Sequence, residues 1–141
     1  MVKLIKELSY YLIISLFISC SFENITDNKD PNIEVEKEYY NNGNIHYELT
    51  YKYGKLNGIS KTWNDSGDLI SKVEYRNGFP HGSWETYYDN GNLKNSISYY
   101  EGYKDGLETW YYMSGQKQTE IFHEQGEIMK FERWDENGNK I

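Results

Sequence analysis

The chain has 141 residues, a net charge of −7, 17% aromatic residues and a mean hydropathy of −0.87. That length holds one domain with a modest core, and an acidic balance without any basic cluster excludes nucleic-acid binding by phosphate neutralisation and broad attraction to anionic lipid heads. A single cysteine excludes an intrachain disulfide and a cysteine-built zinc site, while many Tyr and Trp among polar residues suit two-faced strands.

Residues 1–19 read as a signal peptide. Lys3 and Lys6 precede the apolar run Tyr10 to Ile18, which is about the length of a signal core and too short to span a bilayer as a helix. Phe17-Ile18-Ser19-Cys20 resembles the lipobox of bacterial lipoproteins. The resemblance implies that Cys20 becomes the first residue and carries a fatty acyl group such as palmitate, anchoring the protein to a bacterial membrane on its periplasmic or outer side. The lipobox prefers Leu where Phe17 stands and a smaller residue at Ile18, so an ordinary cleaved signal, an uncleaved anchor and a buried cysteine stay open. Residues 20–32 are polar and aperiodic, as expected of a lipid-anchored tether, and the remainder, 33–141, forms the folded domain.

From Ile33 the chain alternates, with Ile33, Val35, Lys37 and Tyr39 on one side and Glu34, Glu36, Glu38 and Tyr40 on the other. Glycines then recur at a fixed interval. Gly43, Gly67, Gly91 and Gly115 are 24 residues apart, as are Gly54, Gly78, Gly102 and Gly126; Gly58, Gly82 and Gly106 form a third column. Gly138 follows Gly115 by only 23, which predicts a shortened last turn in a partial fifth copy. Apolar columns share the period: Tyr39, Trp63, Tyr87, Tyr111 and Trp134; Ile45, Leu69 and Leu93; Leu49, Val73, Ile97 and Ile121; Tyr51, Tyr75 and Tyr99. Such periods mark stacked supersecondary units, each too small to bury its own apolar face.

A three-residue loop Asn41-Asn42-Gly43 with Gly43 left-handed would place Tyr39 opposite Ile45, so that the two columns meet; a two-residue loop would separate them. The expected product is an antiparallel meander of about nine strands, near 33–40, 45–53, 59–64, 69–76, 83–88, 93–100, 107–112, 117–124 and 128–134, with Gly-x-x-x-Gly as a short bend between units. Lys130 in place of the third glycine and Lys117 in the apolar column suggest an end cap.

The order aromatic, three residues, Gly, one residue, Leu or Ile, then Tyr, then Gly-x-x-x-Gly resembles the MORN repeat, and more closely its bacterial variant found in YwqK-type antitoxins. The resemblance spans Tyr39 to Ile141 and implies an all-β, elongated, single-layered sheet of four hairpin repeats and a partial fifth. Its functional implications are broad: membrane-associated scaffolds, neighbours of lipid kinases and methyltransferases, and bacterial proteins of unassigned role.

Catalytic, cofactor and metal sites are not expected. His46, His81 and His123 fall in three different columns, and His123 takes a place held elsewhere by Tyr. Gly54 to Lys61 lacks the Gly-Lys-Ser/Thr succession of a phosphate loop and leads into a strand. No segment remains for a kinase domain. With the turn register above, Trp84, Tyr88, Tyr100, Trp110, Tyr112 and Phe122 all point away from the apolar columns, which makes them a candidate surface for a protein, peptide or glycan partner; the alternative is that these rings pair across strands to protect the sheet. The expected function is a non-enzymatic binding or scaffold lipoprotein at the bacterial envelope, membrane-held through Cys20, with no nucleic-acid partner. The alternative is an antitoxin or immunity protein that neutralises a toxin by binding it.

Overall fold

The computed structural model describes residues 30–141. The signal peptide, most of the tether and the lipidation position Cys20 lie outside the described residues. Ten antiparallel strands form one sheet: β1 (Ile33–Tyr39), β2 (Ile45–Lys52), β3 (Lys55–Leu56), β4 (Gly58–Trp63), β5 (Leu69–Arg76), β6 (Phe79–Tyr87), β7 (Leu93–Tyr100), β8 (Tyr103–Tyr111), β9 (Lys117–Glu124) and β10 (Glu127–Arg133). Nine of them make a continuous meander, and β3 is a short extension pairing with β2. Among the described residues there is no helix and no second sheet. The all-β repeat architecture is therefore as the period predicts.

The first turn of each hairpin is the expected one. Gly43 has φ +89°, its amide donates to the Tyr40 carbonyl at 2.9 Å, and the Tyr40 amide donates to the Asn44 carbonyl at 2.8 Å. Tyr39 pairs with Ile45, and Trp63 with Leu69, Tyr87 with Leu93 and Tyr111 with Lys117 in the later copies. A left-handed residue at this place costs a non-glycine residue about 1–2 kcal/mol, which accounts for the column.

Immediately past that pair, each hairpin contains a bulge that the period does not reveal. Tyr39 faces Ile45 but Glu38 faces Tyr47, so His46 is an extra residue; Ile70, Lys94 and Gln118 are extra in the same way. Side chains alternate with period two, so one inserted residue reverses the face of everything beyond it. The reversal is visible in contacts: Tyr47 donates to Glu36 at 3.1 Å, while Lys37 meets Glu48 at 2.7 Å.

The second connection is tighter than a bend. Tyr53-Gly54, Asn77-Gly78, Glu101-Gly102 and Gln125-Gly126 all have both residues at positive φ, the two-residue hairpin turn of type I′. Strand pairing resumes at once, Arg76 with Phe79 and Tyr100 with Tyr103, so β6 and β8 begin four residues earlier than the expected 83–88 and 107–112. The third glycine then lies in a two-residue bulge. Gly106 (φ +97°) pairs with His123, and a Cβ there would lie 3.2 Å from the Ser98 Cβ. In the last copy this bulge contracts to one residue, between the pairs Ile128–His123 and Lys130–Phe122. The residue missing from the 23-residue interval is thus removed from the bulge, and the loop at Asp135–Gly138 keeps its full length.

Two faces result. The packing face carries the row Leu49, Ser60, Val73, Trp84, Ile97, Glu108, Ile121 and Phe131, flanked by Tyr51, Tyr75, Tyr99 and His123, with Val73 and Ile97 the buried apolar residues. The opposite face carries a charged row in which Lys37, Glu48, Lys61, Lys72 and Glu85 are successive cross-strand partners. Lys72 meets Glu85 at 3.3 Å, and the Tyr87 hydroxyl donates to Glu85 at 2.7 Å, which places Tyr87 on this face; burial, together with this hydrogen bond, pushes its hydroxyl pKa up to about 12. Replacement Gly106→Ala should lower stability by about 1–2 kcal/mol, read as a lower urea midpoint with unchanged slope, because both the backbone angle and the Ser98 contact oppose a methyl group.

Candidate functional site

The register divides the six aromatic candidates among three places. Trp84 pairs with Val73 and Ile97, and Trp110 with Asn95 and Thr119, so both are on the packing face; Trp84 stacks at 5.8 Å on Tyr99. Tyr88 and Tyr112 stand at the first-turn edge. Their hydroxyls donate to the Tyr111 and Trp134 carbonyls of the next repeat at 2.7 and 2.9 Å, as Tyr40 does to Trp63 at 2.8 Å. Only Tyr100 and Phe122 are exposed on the charged face. The expected common surface is therefore corrected: the one-residue bulge puts Trp84 and Trp110 on the packing face with Ile97 and Tyr99, opposite Tyr100 and Phe122, and leaves Tyr87 and Leu93 on the charged face.

Two constellations remain in β7–β9 and their connections. The first is buried. Glu108 and His123, each 4% exposed, meet on the packing face with Nε2 of His123 donating to Glu108 at 2.8 Å. Lys104 Nζ and Trp110 Nε1 also donate to the Glu108 carboxylate, at 2.6 and 2.8 Å. Burial alone would raise the Glu108 pKa, but these three donors outweigh it and hold the group below the ordinary carboxylate range. The neighbouring hairpin explains the positions: Glu108 and His123 stand where β6 and β7 place the stacked pair Trp84 and Tyr99. Lys104 and Glu108 went unnoticed in the sequence, although His123 in the column of Tyr51, Tyr75 and Tyr99 was a readable signal. With both carboxylate oxygens engaged, the cluster ties β8 to β9.

The second constellation is exposed. Tyr100 and Tyr103, cross-strand partners 55% and 65% exposed, lie on the charged face beside the pair Leu107 and Phe122. Phe79 continues the patch one hairpin earlier, its ring against Gly102. An open hollow of about 520 Å³ is lined by Tyr100, Glu101, Tyr103, Asp105 and Gln125. This patch differs from the charged row on the same face, where Lys37–Glu48, Lys72–Glu85 and Lys117–Glu120 neutralise one another.

Three stretches, residues 35–53, 56–77 and 80–101, match the MORN repeat variant, and no curated protein sequence matches the chain. Each matched stretch ends on or beside the first residue of a type I′ turn, Tyr53, Asn77 or Glu101, so the family unit coincides with one hairpin centred on its left-handed glycine. The fourth hairpin, outside these stretches, keeps the glycines and contributes Glu108, His123, Leu107 and Phe122.

A carboxyl held below its ordinary pKa by the fold stabilises the folded state above that range and loses the contribution as pH falls through it. Glu108→Gln should therefore cost about 2 kcal/mol at neutral pH, and the gap to the parent protein should narrow as the pH falls below the ordinary carboxylate range, as followed by thermal unfolding.

Proposed function

We propose that the chain, with three hairpins similar to the MORN repeat variant, is a non-catalytic binding module that presents one sheet face to a partner and is held at a bacterial envelope through a lipid on Cys20. MORN repeats are generally binding and scaffold motifs, which supports the module part of this reading. The observation that carries it is the exposed patch Tyr100, Tyr103, Leu107 and Phe122. These four side chains keep more apolar surface in water than Trp84 and Trp110, which the packing face covers more fully. The anchor rests on the lipobox-like Phe17–Cys20 and the polar residues that follow it.

The two parts are tested separately. Radioactive palmitate should label the protein in cells through Cys20, and a Cys20→Ala variant that labels as strongly would remove the anchor. For the surface, the double variant Tyr103→Ser/Leu107→Ser should keep its unfolding midpoint within about 0.5 kcal/mol of the parent, since both side chains are exposed. The same variant should lose the partner recovered by affinity capture from envelope extract; full recovery would remove this face as the binding surface.

A further inference from the structure

We infer that the patch around Tyr103 receives a basic segment of a protein partner, one whose Lys or Arg side chains lie with their methylenes on the rings and their charged ends at the surrounding carboxylates. The inference rests on the binding-module reading and names the chemistry of the partner. Its ground is charge complementarity. Four carboxylates border the patch: Glu101 and Asp105 line the hollow with Tyr100 and Tyr103, while Glu124, Glu127 and Asp105 line a second hollow of about 820 Å³ with Met129. Among the described residues none of these four carboxylates has a basic group within ion-pair distance, although the charged row on the same face is paired.

Two of the nearby cations are already committed. Lys130, the cross-strand neighbour of Phe122, is bound to Glu132 at 3.1 Å, and Lys104 to Glu108 on the other face at 2.6 Å. Arg76 lines the adjoining hollow with Phe79 and Glu101. Glu124 and Glu127 are direct cross-strand partners, an unfavourable like-charge juxtaposition that an incoming cation would relieve. Lys and Arg match this arrangement because their stems cover apolar surface while the head stays polar, and because cations are attracted to exposed tyrosine rings. An acidic peptide or an anionic lipid head would meet uncompensated negative charge here.

The test is selection of random peptides on the purified full chain. Enriched peptides should carry Lys or Arg beside an apolar residue. The tightest one, made synthetically, should bind at least about tenfold more weakly to Glu101→Gln/Asp105→Asn/Glu124→Gln/Glu127→Gln, which removes charge and keeps shape, and should weaken as salt rises from about 50 to about 500 mM. Circular dichroism of the variant, unchanged from the parent, excludes misfolding as the cause. Enrichment of neutral or acidic peptides that still require Tyr103 and Leu107 would overturn the basic partner and leave the binding face standing. No enrichment, or binding indifferent to both sets of substitutions, would overturn both.

Discussion

A left-handed glycine followed by a one-residue bulge governs this molecule. The glycine at Gly43, Gly67, Gly91 or Gly115 turns the chain, and the extra residue at His46, Ile70, Lys94 or Gln118 then decides which side chains share a face. Burial follows from that parity. Trp84 and Ile97 share a row because the extra residue Lys94 shifts β7 by one place against β6, and Val73 joins them as the partner of Trp84. Without it Trp84 would face Ser96 in place of Ile97.

Stability is spread thinly over this frame. Among the described residues no large side chain is fully buried, so each strand is held by many half-covered contacts to its neighbours, as in other quasi-one-dimensional repeats. Polar groups therefore carry an unusual share. Thr86 donates to Asn95 across β6 and β7, and Glu108 gathers three donors in the next hairpin. The Glu108 charge is tolerated on the packing face because both of its carboxylate oxygens accept from donors, Lys104 and His123 on one and Trp110 on the other.

The fold was legible because its glycines are: a left-handed position admits few residues, so Gly43 and Gly91 announce both turn and register. The pairing of Tyr39 with Ile45 followed directly. The bulge was not legible, because a bulged residue needs no special side chain; His, Ile, Lys and Gln all occupy it. Every error in facing stems from that residue, including the placement of Trp84 and Trp110. The I′ turns at Glu101 and Gln125 were hidden for a related reason, since only their second residue is glycine and the first lacks the usual Asn. Of the candidate surface, Tyr100 and Phe122 were found from sequence; Tyr103 was missed because it opens a strand expected to begin at 107, and Leu107 because it alternates with Trp110 and Tyr112, which were expected to face the surface.

The tyrosines at the first-turn edge have a mechanical consequence. Tyr40, Tyr88 and Tyr112 each stitch one loop to the next, aided in the first and third loops by Asn42 with Asn44 and Asn90 with Asn92, which reach the Asp65 and Met113 carbonyls. The second loop has Asn64 instead, and its side chain turns inward to Asp68. Among the described residues no side-chain stitch joins that loop to the third, so the junction of β5 and β6 is held at this edge by the sheet alone. The array is in effect perforated there: strain applied along it, or thermal fraying from its first strand, would meet a natural stopping line between Asn64 and Tyr88, with the hairpins that bear the exposed patch left whole on the far side.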